Sequence, residues 1–177
     1  PPIGLRINAQ NPKAQEVRQQ LSSQGAIHGS WAITMPQRLD LLQDLLAQGQ
    51  ISYQSLAAQQ IMHALQAQEW PTPILDACAG RGGKTFFLAE LGKEVWASDL
   101  NTFRLQQFRQ EAKRLGLLVP VFQASGIAPY PLQQAPATIL LDVPCSGLGV
   151  LSRRPDIKWK RTIENCTQLV SLQKKLL

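Results

Sequence analysis

Two clusters of chemically capable residues stand out, and each follows an apolar run of strand type. The first is Asp76-Ala77-Cys78-Ala79-Gly80-Arg81-Gly82-Gly83-Lys84-Thr85. Glycines at such a bend let the backbone turn sharply and approach a ligand with no Cβ in the way. Asp99 closes the next apolar run about 20 residues on, where an acid commonly binds ribose hydroxyls in nucleotide-type sites. The second cluster, Leu140-Leu141-Asp142-Val143-Pro144-Cys145-Ser146-Gly147-Leu148-Gly149, ends its run with an acid, a proline and a cysteine. Beyond it lies Arg153-Arg154-Pro155-Asp156-Ile157-Lys158-Trp159-Lys160-Arg161, a basic stretch around a tryptophan. A cysteine after a buried strand is more often a small core hydrophobe than a reactive thiol. Basic clusters are usually solvated surface. Both gain weight here because they adjoin a candidate active-site edge.

Three ligand chemistries compete for the glycine bend. Gly83-Lys84-Thr85 copies the end of a phosphate-binding loop, and Leu140-Leu141-Asp142 would then be the strand that holds Mg²⁺. That pattern needs a glycine five positions before Gly83, and the chain has Cys78 there. A dinucleotide fingerprint fails as well, because Thr85 stands where its third glycine belongs. S-adenosyl-L-methionine (AdoMet) needs the tight turn and the acidic strand end without a pyrophosphate cradle, and it fits best. A glycine-rich helix cap with no ligand is the bland alternative.

These residues need a scaffold that brings strand ends together. From Pro73 the chain alternates Ile74–Cys78 (strand), Gly80–Gly83 (turn), Lys84–Leu91 (helix), Glu94–Asp99 (strand) and Thr102–Leu115 (helix, stopped by Gly116). Val119–Ala124 and Thr138–Val143 are further strands, and Thr162–Leu177 reads as a helix. Strand, turn, helix and strand in repetition imply a parallel sheet with crossover helices, a Rossmann-like α/β layout with ligand and strand ends at its carboxyl edge. Ahead of it, residues 1–50 read as a small α+β piece: strand-like Leu5–Asn8, a helix from Pro12 to about Ser23, strand-like Ala32–Met35 and the apolar Leu39–Ala47. Residues 51–72, with a helix over Ser52–Gln68, lead into the methyl-donor domain expected at 73–177.

The 177 residues, 44% hydrophobic and 17% charged, suffice for one core or a core plus a small appendage. The net charge of +6 favours a polyanionic partner modestly. Cys78, Cys145 and Cys166 form no CxxC or Cys/His cluster, so no metal site is expected and a reducing cytoplasm is the simplest setting. No apolar run is long enough for a transmembrane helix, and no signal peptide opens the sequence. Lys174–Leu177 reads as mid-helix, so a C-terminally truncated fragment with an incomplete sheet is expected, and a monomer with it.

Taken together, the motifs resemble the RNA cytosine-5 methyltransferases of the Nol1/Nop2/Sun family, and within it the bacterial 16S ribosomal RNA branch. Asp76–Thr85 is similar to that family's D-x-C-A-A-P-G-G-K-T loop, and Asp99 with Arg104-Leu105 to its second-strand acid and following helix. Leu140–Gly149 resembles L-L-D-A-P-C-S-x-x-G, and Arg154–Trp159 resembles the R-x-P-D-x-K/R-W continuation. Leu5–Asn8 is similar to the L-R-x-N strand of an RNA-contacting subdomain, and Tyr53–Gln59 to the V-Q-D-x-x-S-Q lead-in. The match runs in order along nearly the whole chain. The P-C-S segment with R-x-P-D-x-K-W is its most specific part.

The resemblance implies a class I AdoMet-dependent methyltransferase fold. It implies that Cys78, Ala79, Gly80, Arg81, Gly82, Gly83 and Lys84 surround the methionine part of AdoMet and that Asp99 holds its ribose. Asp142 lies near both sulfonium and cytosine, and Cys145 is the helper thiol that releases methylated RNA. Arg6, Arg153, Arg154, Lys158, Trp159 and Lys160 are the implied contacts to RNA, ribosomal RNA foremost. The chemistry needs a thiolate at cytosine C6 to make C5 nucleophilic toward the methyl group. The family places that thiolate in a later T-C-S segment, and Cys166, in a helical stretch, is read as packing. Three departures stand out: Arg81 replaces the loop proline, Ser55 the lead-in aspartate, and Ser125 the acid that reaches adenine. Losing that last acceptor weakens AdoMet by roughly 1–3 kcal/mol if nothing compensates. A catalytically degenerate RNA-binding or ribosome-assembly protein is therefore the second reading, and a phosphate-loop NTPase the third.

Overall fold

The computed structural model describes residues 2–152 and 154–177. The N-terminal part builds β1 (Ile3–Ile7), α1 (Ala14–Ser22), β2 (Ala26–His28), β3 (Ala32–Met35), α2 (Leu41–Ala47) and β4 (Ile51–Tyr53). The four strands form an antiparallel sheet in the order β2-β3-β1-β4. Leu5 and Ile7 of β1 pack with Val17, Leu21, Leu42 and Ile51 in one apolar cluster. Successive side chains on a strand point to opposite faces, so Arg6 must face away from that cluster. It is nevertheless buried, at 3% exposure, because the other face of β1 is covered too.

What covers it is the second half of the chain: α3 (Leu56–Ala64), β5 (Ile74–Asp76), α4 (Gly83–Glu90), β6 (Val95–Asp99), α5 (Thr102–Leu115), β7 (Val121–Gln123), β8 (Thr138–Leu140), α6 (Ile157–Lys160) and α7 (Ile163–Leu176). Strands β5 to β8 form a parallel sheet in the order β7-β6-β5-β8. The α/β, Rossmann-like layout read from the sequence is the one observed. Apolar clusters lie on both faces, Met62, Phe87 and Leu88 on one and Phe86, Phe108, Ala112 and Leu115 on the other. The Phe86 and Phe108 rings meet at 4.6 Å between centroids. Such double coverage is what an apolar parallel strand requires. Among the described residues β7 and β8 are the two edges of this sheet, and Ile139 of β8 is 57% exposed.

The two halves meet across a polar seam. Asn8 Nδ2 donates to the carbonyls of Gly49 and Leu115 at 2.9 and 3.0 Å. Arg114 of α5 donates to the carbonyls of Leu46 and Ile51, to Ser52 Oγ and to Glu111. Burial raises the Glu111 carboxyl, but the Arg114 and Ser52 hydrogen bonds outweigh it and hold it below its ordinary value.

Two strands differ from the sequence reading. Ile51–Tyr53, assigned to the helical lead-in, pairs with β1 in the register Leu5↔Tyr53, so the small sheet reaches past the boundary expected at residue 50. Ala26–His28, not read as a strand, pairs with β3. Among the described residues no helix is long and apolar enough to cross a membrane.

Candidate cofactor and RNA site

Strand order β7-β6-β5-β8 creates a reversal between β5 and β8, since the chain runs outward to β7 and then crosses back. A crevice at the carboxyl ends flanking such a switch point is where open α/β sheets bind ligands. The glycine bend leaves β5 there, and Asp142 follows β8 at the same edge. The Lys84 ammonium pairs with Asp142, joining the two loops directly.

The bend is held by its backbone partners. Gly80 and Gly82 have φ of 59° and 89°, in the left-handed region that favours glycine. The Gly82 N–H closes the turn on the Ala79 carbonyl at 2.8 Å, and the Ala79 N–H donates to Ser98 of β6 at 2.9 Å. A Cβ on Gly82 would stand 2.2 Å from the Phe86 ring.

Asp99 sits at the tip of β6, 7% exposed. Its Oδ2 accepts from the Gly80 N–H at 2.9 Å and its Oδ1 from the Asn101 N–H at 2.8 Å. A carboxylate has about four acceptor sites, so each oxygen keeps capacity for a further donor. Asn101 in turn caps α5, accepting from the Arg104 N–H at 3.0 Å. A cleft of about 430 Å³ opens here, lined by Cys78, Asp99, Ser125 and Asp142 with apolar Leu100, Ile127 and Pro144. That volume is in the range of small-ligand sites.

The cleft is electrostatically negative at its floor. Burial chiefly, then the charges of Asp76, Asp99 and Asp142, pushes the Cys78 thiol up to about 11. Asp76 is 1% exposed, and burial pushes its carboxyl up to about 6 although Thr85 Oγ donates to its Oδ2 at 2.6 Å. Its Oδ1 has no partner. Such a floor suits a ligand that is cationic where it meets Cys78 and carries a diol where it meets Asp99. AdoMet, with its sulfonium, ammonium and ribose, has that chemistry. A triphosphate fits less well, because the carboxylates repel it and the nearby cations already have partners, Lys84 with Asp142 and Arg104 with Asp99 at 3.8 Å.

Of the residues expected around the methionine part, Cys78 lines the cleft and Ala79 packs inward beside Phe86; Gly80 and Lys84 meet the cleft through their partners Asp99 and Asp142, and Gly83 lines the groove on the other side of the bend. Arg81 points elsewhere: its side chain lines a separate groove with Tyr53 and Arg114. Ser125 does reach the cleft. Cys145 is exposed on the segment that follows β8. Arg154, Lys158, Trp159 and Lys160 are exposed around α6, and Trp159 is 82% exposed with the Lys158 ammonium 5.4 Å from its ring centroid. Lys160 pairs with Asp156 at 2.9 Å. Arg161 Nε ties this basic segment to the Ser146 carbonyl at 2.7 Å, next to Cys145. Arg153 lies outside the described residues.

Arg6 requires a correction. The resemblance makes it an RNA contact, but it is 3% exposed and its guanidinium is bound to Glu90, Gln54 and the Gly83 carbonyl. It has no face to offer RNA. Sequence reasoning also passed over Asn101 and Arg104 as cleft residues, although a cap two positions after a strand-end acid marks the site. Leu172 and Leu176 of α7 also line the cleft, with no local signal to reveal them.

Comparison with known proteins agrees with this geometry. The 16S rRNA methyltransferase RsmB/F family matches residues 61–177. The probable ribosomal RNA small subunit methyltransferase B of a Synechocystis species is 35% identical across 100% of the chain. The Vibrio cholerae ribosomal RNA small subunit methyltransferase B is 35% identical across 99%. The chain spans 42% and 43% of the length of these two relatives. Among solved structures, a methyltransferase homologue from Pyrococcus horikoshii superposes with a TM-score of 0.73 at 26% identity, over 99% of this chain and 58% of that one. NSun6 from the same organism, solved with SFG, an AdoMet analogue, gives 0.67 at 25% identity, over 85% and 40%. With fold, sheet edge and sequence in agreement, the chain belongs to the 16S rRNA methyltransferase RsmB/F family.

Proposed function

We propose that this chain forms the AdoMet-binding and RNA-facing part of an enzyme that methylates C5 of cytosine in 16S ribosomal RNA. The observation that carries the reading is the single edge shared by the glycine bend, Asp99 and the strand tip bearing Asp142, with Gly80 bonded to Asp99 and Lys84 to Asp142. Cofactor and target base would meet there.

AdoMet, when bound, supplies the methyl group. Asp99 accepts from its ribose hydroxyls through the acceptor sites left free by Gly80 and Asn101. Leu100, Ile127 and Pro144 give its flat base an apolar wall. Asp142, which lines the cleft and pairs with Lys84, would hydrogen-bond the cytosine ring and stabilise it as charge shifts during methyl transfer. Cys145, exposed beside Ser146, is the release thiol. Cys78, held as a neutral thiol, is unsuited to nucleophilic attack. None of the three cysteines stands in a T-C-S segment, so the attacking thiolate is assigned to no residue of this chain. The target base must be unstacked to be reached. Trp159 offers a stacking face, and exposed Arg154, Lys158 and Lys160 supply charge toward the phosphates. A cytoplasmic monomer is the setting we assign.

A second reading, a fold relative that binds RNA without catalysis, draws on Ser125 in the place of an adenine-binding acid. Calorimetric titration of AdoMet into the chain separates the two. The enzyme reading expects micromolar binding that Asp99→Asn weakens by about tenfold or more, one charge-assisted hydrogen bond's worth. No binding to the folded chain would leave the non-catalytic reading.

A further inference from the structure

Arg6 is buried in the seam between the sheets, touches neither the cleft nor the basic segment, and makes more bonds than an ion pair needs. Its Nε and one terminal nitrogen donate to both oxygens of Glu90, at 2.7 and 2.8 Å. Its other terminal nitrogen donates to the Gly83 carbonyl at 2.8 Å and to Gln54 Oε1 at 2.6 Å. Gln54 Nε2 then gives the same Gly83 carbonyl a second donor at 3.0 Å. Gly83 and Glu90 are the first and last residues of α4. Seven residues apart, they share a helix face, and a helical side chain leans back toward the N-terminus, so one guanidinium reaches both. Gln10 adds a bond to the Glu90 carbonyl at 2.9 Å.

Joining the two halves would require only Glu90. The bonds to Gly83 act on the glycine bend itself. That bend has few side chains with which to brace its own shape, and no atom lies within 4 Å of where a Cβ on Gly80 would be. Beyond the Gly82–Ala79 and Ala79–Ser98 backbone bonds, side chains grip its two ends, Asp99 at the Gly80 N–H and Arg6 with Gln54 at the Gly83 carbonyl.

We propose that Arg6, braced by Gln54, is a positioning residue for the AdoMet bend, so that the small antiparallel sheet sets cofactor affinity in the parallel half without touching the cofactor. The proposal rests on the AdoMet reading above.

The test compares wild type, Arg6→Lys and Gln54→Leu by urea unfolding and by AdoMet calorimetry, the latter where each protein is fully folded. Arg6→Lys keeps a charge for Glu90 but lacks the fork that reaches Gly83 at the same time. Its AdoMet Kd is expected to rise about tenfold. Gln54→Leu leaves the Arg6–Glu90 pair intact and is expected to raise Kd about threefold to fivefold with little change in unfolding midpoint. Should Arg6→Lys fail to fold, Gln54→Leu alone decides. Folded variants with wild-type Kd overturn the proposal and leave the AdoMet reading standing. Wild type that binds no AdoMet overturns both.

Discussion

Replacing Asp76 by asparagine removes a carboxyl that the fold holds against its preference for ionisation. Asp76 is 1% exposed, and its carboxyl is lifted from 3.8 to about 6, with burial the largest cause. An acid whose folded pKa lies above its unfolded value keeps its proton longer in the native state. The native chain therefore binds more protons than the unfolded chain between those two values, and stability falls as pH rises through that window. The full loss is about 3 kcal/mol, and about 2 kcal/mol of it falls between pH 4 and pH 7.5. Asparagine is neutral throughout and retains an oxygen for the Thr85 hydroxyl, which donates to Asp76 at 2.6 Å. Urea unfolding of both proteins at the two pH values, without cofactor, gives the comparison. Asp76→Asn should gain about 2 kcal/mol on wild type in moving from pH 4 to pH 7.5. A stability difference that is the same at both pH values refutes the argument that burial, and not a binding partner, sets this group's state.

Three further expectations follow from the site. Gly82→Ala places a Cβ 2.2 Å from the Phe86 ring at a φ of 89°, so urea unfolding should show a loss of about 1–3 kcal/mol; a change under about 0.5 kcal/mol contradicts the steric reading. With its thiol at about 11, Cys78 is only about 0.1% thiolate at pH 8, so iodoacetamide followed by peptide mass mapping should label exposed Cys145 well before it. The reverse order would show that Cys78 is not held neutral. Trp159→Ala, at an 82% exposed position, should leave unfolding unchanged yet weaken single-stranded RNA binding by about 1–3 kcal/mol, and Lys158→Gln should lower the salt slope by about one; unchanged RNA affinity in both removes the basic segment from the RNA surface.

Local patterns carried the parallel half well. The run Ile74–Asp76, the glycine bend and the apolar run ending at Asp99 gave β5, α4 and β6, because each boundary is marked by a residue whose backbone chemistry is local. Asn101 and Gly116 bound α5 for the same reason. The small sheet was harder. Ile51–Tyr53 is three residues long and is a strand only through its pairing with β1, some 45 residues earlier, so no local periodicity reports it. Arg6 shows the same limit at the level of function. An arginine on a short strand reads as exposed, and only its partner Glu90, 84 positions away, reveals that it is internal. Arg81 likewise sits inside a recognisable motif while its side chain turns to a different groove, since neighbouring residues of a bend need not share a face.

We propose that the glycine bend, the tip of β6 and the loop after β7 enclose one AdoMet site. Amide nuclear magnetic resonance of the isotope-labelled chain during AdoMet titration tests it most directly. A single enclosed site gives saturable shifts largest at Gly80, Asn101 and Gly126, with the amides of Ala26–His28 unmoved. Shifts confined to the small sheet, or none at millimolar AdoMet, would contradict it.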